Sequence, residues 1–427
     1  MTPNEIPGGV RPDDVPPEPA GSHPGPARID GQRIPVHKAH SLIDKVYSTK
    51  NLWTAWRKVR ANKGAHGLDR VTIHAFEQDV HTHLREIQRK LMEDRYEPLP
   101  ARRVYIPKTS DPKQLRPLGI PTVTDRVVQQ AVHQVLDPIY DPEFSERSFG
   151  FRRGRRAHDA VATAIRDLKE GFRYVVDADI ASFFDRLDHE VVMSHVCAKI
   201  ADGRVIRLLK AFLKAGYCEG NIVSVPTEGS PQGGVISPLL ANIVLDAFDK
   251  AIEAKGWRHV RYADDFVILT RSREEAEHAL GYAKEVLGSL KLALHETKTR
   301  LTDFGAGFEF LGFRFCGYHI GVRGKSIERF KERVRTLTRR QQGRNVDAVL
   351  HDLNQVIRGV AAYFGVAEVA TLFGVLDEWI RMRVRSFRLK RRNHNDNWRL
   401  PNRKLKKWGL LSLLECRPAH RLSFMCA

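Results

Sequence analysis

Residues 258–270 read RHVRYADDFVILT, and the fold can be inferred outward from them. Two strand-like runs, Val260-Arg261-Tyr262 and Phe266-Val267-Ile268-Leu269, flank a pair of aspartates. Runs rich in β-branched and aromatic residues predict strands, and a separation of only three residues predicts a tight hairpin turn. The sequence therefore predicts a hairpin that holds Asp264 and Asp265 rigidly at its tip.

A further carboxylate is expected from an apolar strand predicted at Tyr174 to Ile180, which contains Asp177 and Asp179. These two aspartates would share one face, because side chains alternate along a strand. Hard cations of the magnesium type prefer carboxylate oxygens, and two-metal nucleotidyl transfer needs two or three acidic groups on rigid elements. Taken alone, adjacent aspartates are more commonly a solvated turn, so the surrounding sequence must decide.

The surrounding sequence supplies an ordered set of motifs. In chain order they are Asp179, Phe184, Gly229-Ser230-Pro231-Gln232-Gly233-Gly234, Ser237-Pro238-Leu239-Leu240-Ala241-Asn242, Tyr262-Ala263-Asp264-Asp265, Lys298-Thr299 and Phe310-Leu311-Gly312. This set resembles the palm motifs of reverse transcriptases, in particular those of group II intron-encoded reverse transcriptase/maturases.

Flanking segments resemble the same family from about residue 40 to the C-terminus. They are Asn62 to Asp69 (N-terminal extension loop), Ile106-Pro107-Lys108 with Leu115 to Pro121 and Ser148 to Arg152 (fingers), and Leu353-Asn354, Ile357-Arg358-Gly359 and Tyr363-Phe364 (thumb). The resemblance implies an α+β fold. It would be a right-hand-like polymerase, with fingers and an antiparallel palm sheet, followed by an α-helical thumb or maturase X domain.

Four regions are predicted along the chain. Residues 1–38 form a Pro-rich leader, because the first 36 residues carry nine of the 22 prolines and few large apolar side chains. Residues 39–172 would form the N-terminal extension and fingers, 173–318 the palm, and 319–427 the basic thumb. Apolar spacing predicts helices at Ala157 to Lys169, His189 to Ile200, Val205 to Tyr217, Ser237 to Ala254 and Arg273 to Leu290, and strands around Leu292 and Phe308 to Phe315.

The resemblance implies a catalytic set in which Asp179, Asp264 and Asp265 bind two Mg²⁺ ions. Asp177 stays open as a rival to Asp179, which has the family's spacing to Phe184. The Phe184 ring would exclude a ribose 2′-hydroxyl and so favour deoxynucleotides. Its neighbour Phe183 is better explained as a core residue.

Four more residues would bind the incoming dNTP. Gln232 would lie beside the nucleotide, with glycines that let the backbone approach closely. Lys108 and Arg116 would hold its phosphates as cationic donors. Lys298 matches a lysine of the family that lies near the nucleotide.

The charge balance predicts a nucleic-acid partner. Seventy Lys and Arg against 51 Asp and Glu give a formal net charge of +19, and neutralised phosphates release counterions. Residues 381–410 contain twelve basic residues and one Asp, interleaved with aromatic side chains. Arg152, Arg153, Arg155 and Arg156 are predicted to follow the template–primer backbone.

Several classes of protein are disfavoured. No apolar stretch approaches the roughly 20 residues of a membrane span, so no membrane partner is expected. Five scattered cysteines without Cys-x-x-Cys spacing indicate neither a disulfide framework nor a zinc ribbon. His81 and His83 are better explained by a helix surface than by zinc. Asn393-His394-Asn395 lacks the pattern of a His-Asn-His endonuclease and is interpreted as a loop, so second-strand cleavage is not predicted.

The resulting hypothesis is an RNA-directed DNA polymerase and maturase of the bacterial cytoplasm and nucleoid. It would bind its parent group II intron RNA, assist splicing, and copy the intron from a DNA primer into target DNA during retrohoming. Homodimerisation is left open. One alternative is a domesticated reverse transcriptase in a defence or CRISPR-associated system. Another is a non-catalytic RNA-binding splicing factor, which the presence of all three carboxylates disfavours.

Overall fold

The structure is a computed structural model. It describes residues 38–107, 115–220, 222–224, 229, 233–390 and 394–422, and for 394–396 only the backbone. Lys108 and Gln232, two of the predicted nucleotide-binding residues, lie outside the described residues, as does the predicted Pro-rich leader apart from Lys38.

The described chain begins and ends with runs of helices, and strands and helices are interspersed between them. The α-helices are α1 (Ile43–Tyr47), α2 (Thr49–Ala61), α3 (Ile73–Gln78), α4 (Val80–Met92), α5 (Val123–Tyr140), α6 (Ala157–Lys169), α7 (His189–Lys199), α8 (Gly203–Lys214), α9 (Ser237–Ala254), α10 (Arg273–Ser289), α11 (Gly324–Leu337), α12 (Val346–Phe364), α13 (Ala370–Leu389) and α14 (Asn402–Lys407). The strands are β1 (Ala101–Pro107), β2 (Leu115–Ile120), β3 (Tyr174–Asp179), β4 (Tyr217–Glu219), β5 (Ile222–Ser224), β6 (Arg258–Tyr262), β7 (Asp265–Thr270), β8 (Arg300–Asp303), β9 (Phe308–Phe310), β10 (Phe313–Cys316) and β11 (His319–Val322). Short 3-10 helices span Asp141–Glu143, Phe183–Asp185 and His394–Arg399.

The central sheet is antiparallel, with strand order β6-β7-β3-β8. Its side chains alternate between two hydrophobic cores, so that Val176 and Phe266 face one core while Val175 and Val267 face the other. Both faces are therefore buried, which explains the continuous apolar run Phe266-Val267-Ile268-Leu269 in β7. The predicted hairpin and the α+β fold class are confirmed.

The two cores divide the helices between them. One core receives apolar side chains from α1, α2, α4, α5, α7, α8, α9 and α10. The other receives α6, the sheet β9-β10-β11 and the C-terminal helices α11, α12 and α13. The C-terminal helices thus pack into the same core that covers one face of the central sheet.

A second antiparallel pair, β1 and β2, belongs to a separate sheet with strand order β2-β1-β4-β5. Strands β4 and β5 were not predicted, and the prediction of a helix that continues to Tyr217 is wrong. Helix α8 ends at Lys214, because Gly216 adopts a positive φ of 68° and Tyr217 pairs with Ala101 of β1.

The strand predicted around Leu292 is also wrong. Leu292 is buried, but its backbone N–H donates to the carbonyl of Leu287 at the end of α10, and only an isolated bridge joins Leu294 to Ile180. The fourth strand of the central sheet is β8 instead. The four-region division stays a prediction, and its boundary at residue 318 lies between the paired strands β10 and β11.

Asp202 connects the start of the described chain to helix α8. One carboxylate oxygen accepts from the N–H groups of Leu42 and Ile43 at 2.7 and 2.9 Å, and the other accepts from Arg204 and Val205 at the start of α8. Burial alone would raise the pKa of Asp202, but these four donors outweigh it and lower the pKa below its usual range.

We predict that Asp202→Ala lowers the free energy of unfolding by about 3 kcal/mol at neutral pH, because it leaves buried backbone donors without a partner. Since the folded-state pKa is depressed, this contribution is present above about pH 4 and is lost as the pH falls through the folded-state pKa. Urea denaturation followed by circular dichroism measures it. The matched control is Asp188→Ala, because Asp188 caps a single helix, α7, and its other contact is an exposed ion pair with Lys291. It should lose about 1 kcal/mol, and an equal loss in both variants would refute the prediction.

Candidate active site at the β6–β7 turn

The β6–β7 turn consists of two residues, because Tyr262 and Asp265 are paired across the hairpin. Ala263, the first turn residue, adopts a φ of +60° and is buried. A left-handed conformation costs an alanine about 1 kcal/mol, so this turn is strained and must be held by its surroundings. Asp264 follows directly, and both aspartates are half-buried at the end of the sheet.

The third carboxylate lies on the neighbouring strand. Asp179 is in register with Asp265, and the N–H of Ile180 donates to the carbonyl of Asp264 at 3.3 Å. Asp177 lies two residues further into β3, opposite Val267. Among these aspartates, only Asp179 adjoins both members of the hairpin pair in this register, which favours it over Asp177 as the third ligand.

Burial and repulsion disfavour negative charge at this end of the sheet. Burial, followed by the charges of Asp177, Asp179 and Asp264, raises the pKa of Asp265 to about 8. The pKa of Asp264 is raised as well, first by burial and then by Asp179. The pKa of Asp177 rises to about 6, mainly through burial.

Cationic side chains partly offset this repulsion. The Nζ of Lys298 forms an ion pair with Asp179, and Lys298 and Arg116 both act to lower the pKa of Asp264. Two of the predicted nucleotide-binding residues are therefore gathered beside the carboxylates. Arg116 reaches this region from the exposed part of β2.

The carboxylates fit a hard divalent cation by their donor chemistry. Mg²⁺ takes one or two carboxylates from the protein and completes its shell with water and phosphate oxygens. Within the described residues, no group of three or more His, Cys, Asp or Glu side chains already stands in an arrangement that could hold a metal ion. Asp265, whose pKa is raised to about 8, and Asp264, whose pKa is also raised, are acids that a bound cation would relieve of repulsion.

The predicted sugar-selecting residue follows Asp179 by five residues in the chain and packs against a second aromatic ring. Phe184 belongs to the 3-10 helix Phe183–Asp185 and is half-buried, whereas Phe183 is buried in the core. The ring of Phe184 meets Phe151 edge-on, with 6.5 Å between ring centroids. Phe151 is 54% exposed and has a φ of +60°. The sequence interpretation missed Phe151, although its position in the Ser148 to Arg152 motif was a signal.

The described flanks of the glycine-rich segment, Gly229 and Gly233, approach neighbouring backbone closely. A Cβ on Gly233 would lie 2.4 Å from the carbonyl oxygen of Gly119 in β2, and a Cβ on Gly229 would lie 2.8 Å from the carbonyl of Asp185. On the far side, the Oε1 of Gln129 accepts from the N–H of Val235 at 2.7 Å. The loop's flanks therefore approach β2 and the Phe184 segment too closely for any larger residue.

The four arginines predicted to contact nucleic acid have different environments. Arg153 and Arg156 are exposed, and Arg155 is half-exposed. Arg152 is buried. Its guanidinium donates to the Asp141 carboxylate and to three backbone carbonyls, those of Asp141, Ser145 and Ser148. Four of its five N–H groups are thus bound to protein acceptors, so Arg152 holds the loop together and is less available to a phosphate than the exposed Arg153 and Arg156.

Tyr363 on α12 connects the C-terminal helices to this site, and the sequence interpretation gave it no role. Its hydroxyl donates to the carbonyl of Leu311 at 2.9 Å, and its own carbonyl lies 2.7 Å from the Nε2 of His158. Burial, followed by Tyr262 and Asp265, raises the pKa of Tyr363 to about 12. The hydroxyl therefore remains a proton donor at neutral pH.

Two family descriptions match the chain. "Reverse transcriptase (RNA-dependent DNA polymerase)" matches residues 106–315, and "Group II intron, maturase-specific domain" matches residues 327–408. In the described part of the chain, no helix is long and apolar enough to cross a membrane.

Individual proteins are also similar to this chain. Protein YkfC of Escherichia coli is 34% identical over 321 residues, which cover 66% of this chain and 84% of the relative. Group II intron-encoded protein LtrA of Lactococcus lactis is 40% identical over 338 residues, which cover 64% of this chain and 55% of the relative. The chain thus spans about half the length of LtrA. Among solved structures, a telomerase from Candida albicans is similar with a TM-score of 0.42 and 12% identity, covering 74% of this chain and 64% of that chain.

We predict that Asp265→Asn stabilises the metal-free protein at pH 8, by about 1–3 kcal/mol, because an amide is neither repelled by its neighbours nor costly to bury as a charge. The folded-state pKa of about 8 lies above the unfolded-state value of about 4. The wild-type protein should therefore lose stability as the pH rises through this interval.

Urea denaturation in the presence of a chelator, at pH 5 and pH 8, tests this prediction. The gain should be larger at pH 8 than at pH 5. The exposed Asp347 supplies the control, and Asp347→Asn should change stability little at either pH. A gain that is independent of pH, or a loss at pH 8, contradicts the prediction.

Proposed function

Because this chain belongs to the group II intron-encoded reverse transcriptase/maturase family, we propose that it copies RNA into DNA at the carboxylates of the β6–β7 turn and assists the splicing of its parent intron RNA. The observation that carries this proposal is the convergence of Asp179, Asp264 and Asp265 at one end of the central sheet. The sheet lies within the segment that matches reverse transcriptases, and the maturase-specific match follows directly.

Asp179, Asp264 and Asp265 would hold two Mg²⁺ ions between them. Bound ions of this kind activate the primer hydroxyl and neutralise charge on the triphosphate and the leaving pyrophosphate. The protein's own contribution is to place the three carboxylates on paired strands at one end of the central sheet. Lys298 forms an ion pair with the Asp179 carboxylate, and it would be available to the triphosphate if that carboxylate held a cation instead.

The nucleotide would lie between the two sheets. Arg116 and Lys108 on the fingers side would bind its phosphates, and Gln232 would lie beside the base and sugar. The ring of Phe184, supported by Phe151, would meet the ribose at its 2′ position and so exclude ribonucleotides. These assignments rest on the family motifs and on the electrostatic influence of Arg116 and Lys298 on Asp264.

The partners proposed are an RNA template with a DNA primer, the parent intron RNA, and the target DNA into which the cDNA is inserted during retrohoming. The net charge of +19 supports a polyanionic partner. Arg153, Arg155 and Arg156 are proposed to follow the template–primer backbone, and the basic stretch 381–410 to contact intron RNA. A nucleoid-associated location in the cytoplasm is part of the same proposal.

We predict that a double substitution, Asp264→Ala with Asp265→Ala, abolishes extension of a DNA primer on an RNA template, because it removes two of the three proposed metal ligands. Splicing of the intron RNA that copurifies with the protein should persist, because the basic C-terminal helices are unchanged. The matched control is the adjacent acidic pair Glu274 and Glu275, exposed at the start of α10. Changing both to alanine should leave extension intact, and extension that survives in the Asp264/Asp265 variant would falsify the assignment.

We also predict that Phe184→Val raises the incorporation of ribonucleotides relative to deoxynucleotides by roughly tenfold or more, since a smaller side chain leaves room for the 2′-hydroxyl. Single-nucleotide extension with matched rNTP and dNTP pairs measures the ratio. Phe183→Leu serves as the control, because Phe183 is buried in the core. That variant should lose stability without a change in the ratio, and the same ratio in both variants would exclude Phe184 as the selecting residue.

A further inference from the structure

Arg261 is the largest side chain that is fully buried among the described residues. Its guanidinium binds Asp249 on α9 through two nitrogens, with Nε at 2.8 and 3.0 Å from the two carboxylate oxygens and Nη2 at 2.6 Å from one of them. Burial alone would raise the pKa of Asp249, but Arg261 and His259 hold it far below its usual range. A buried ion pair of this kind rarely stabilises a fold more than apolar residues of the same volume would. Its presence therefore calls for a reason other than stability.

The remaining guanidinium nitrogen points at the strained turn. Nη1 of Arg261 donates to the carbonyl oxygen of Ala263 at 3.0 Å and to the Oδ1 of Asn242 at 3.1 Å. Ala263 is the residue with a φ of +60°, immediately before Asp264. The hydrogen bond from the charged guanidinium therefore fixes the peptide group between Ala263 and Asp264. That peptide group sets the direction of the backbone at the two aspartates.

The same hydrogen-bond network, through Asn242, holds the segment at Gly150 against the turn. The Nδ2 of Asn242 donates to the carbonyl of Gly150 at 2.9 Å. A Cβ on Gly150 would lie 2.2 Å from the backbone nitrogen of Ala263, so Gly150 approaches the turn as closely as a residue without a side chain can. Ala263 is therefore held from one side by Arg261 and from the other by Gly150.

We propose that Arg261, fixed by Asp249 and Asn242, is a positioning residue that sets the β6–β7 turn so that Asp264 and Asp265 can bind divalent cations together with Asp179. This inference rests on the proposed function and adds the element that holds its active-site carboxylates in place. Arg261 itself does not touch a reacting atom, because it is buried beneath the turn.

Arg147 provides a matched comparison within the same region. It forms a two-nitrogen ion pair with the buried Asp167, at 2.6 and 3.0 Å, and it donates to the carbonyl of His259 at 3.2 Å. Both arginines therefore pair with a buried aspartate and bond a carbonyl of the hairpin. Only Arg261 reaches the turn itself. A purely structural role predicts the same consequences for the loss of either pair.

The test replaces each ion pair as a whole, because a single substitution would leave a buried aspartate without its partner and prevent folding. One variant is Arg261→Met with Asp249→Leu, and the control is Arg147→Met with Asp167→Leu. A milder third variant, Arg261→Lys, keeps the charge but cannot make the forked contacts. Mn²⁺ alone is titrated into each protein by calorimetry, and amide hydrogen exchange is followed across residues 258–270.

The Arg261/Asp249 variant should bind Mn²⁺ roughly 10–100-fold more weakly than the wild type, which is the range for lost partners of metal ligands. Its amides at the turn should exchange faster, Arg261→Lys should lie in between, and the Arg147/Asp167 control should bind Mn²⁺ like the wild type. Unchanged Mn²⁺ binding in the Arg261/Asp249 variant, or an equal weakening in the control, overturns the inference.

Failure of the proposed function gives a different result. If the wild type bound Mn²⁺ no better than the variant in which both Asp264 and Asp265 are alanine, the metal site itself would be refuted. If the wild type binds Mn²⁺ and extends primers while loss of Arg261 changes neither binding nor exchange, only the positioning role of Arg261 is refuted.

Discussion

The mutual repulsion of three carboxylates at the end of a buried sheet is the constraint on which this structure depends. Burial and repulsion together raise the pKa of Asp265 to about 8 and also raise the pKa of Asp264. In the metal-free protein, the charged forms of these side chains therefore destabilise the fold. They are nevertheless held together, because Asp179 and Asp265 are paired across two strands whose other residues are packed on both sides. Stability gained along the sheet offsets the cost at its end, as is common where function needs charges close together.

The two cores explain how the rest of the molecule serves that site. Helices on one face of the central sheet and the C-terminal helices on the other face are each packed against alternate residues of the same strands. The C-terminal helices therefore share a core with the palm sheet. Tyr363 links this shared core to the site. Its hydroxyl donates a hydrogen bond to the carbonyl of Leu311, a turn residue with a positive φ. A shift of α12 would thus displace the Phe310-Leu311-Gly312 turn as well as the packing among the C-terminal helices.

The many basic residues have two distinct roles, which composition cannot separate. The exposed arginines and lysines supply the electrostatic attraction for a polyanion. Arg147, Arg152 and Arg261 instead bind aspartates and backbone carbonyls in the interior around the hairpin. A guanidinium suits this task, because its planar fork of donors can satisfy a carboxylate and a carbonyl at once. Some of the excess positive charge is therefore used to hold the active-site loops in place.

The sequence by itself determined the hairpin and most of the helices, because these follow from alternation along strands and apolar spacing along helices, and it predicted the three carboxylates from the fixed order of short motifs. It missed β4, β5, β8 and β11, which are too short to show a period, and it placed a strand at Leu292, where the chain is only buried. Only the tertiary structure decided which arginines are interior and what holds the turn. The partners of Arg261 lie 12 and 19 residues away on α9, and Gly150 lies more than a hundred residues before Ala263. The physical reason is that hydrogen-bond and steric partners across a fold leave no local pattern in the chain, whereas strand and helix periods do.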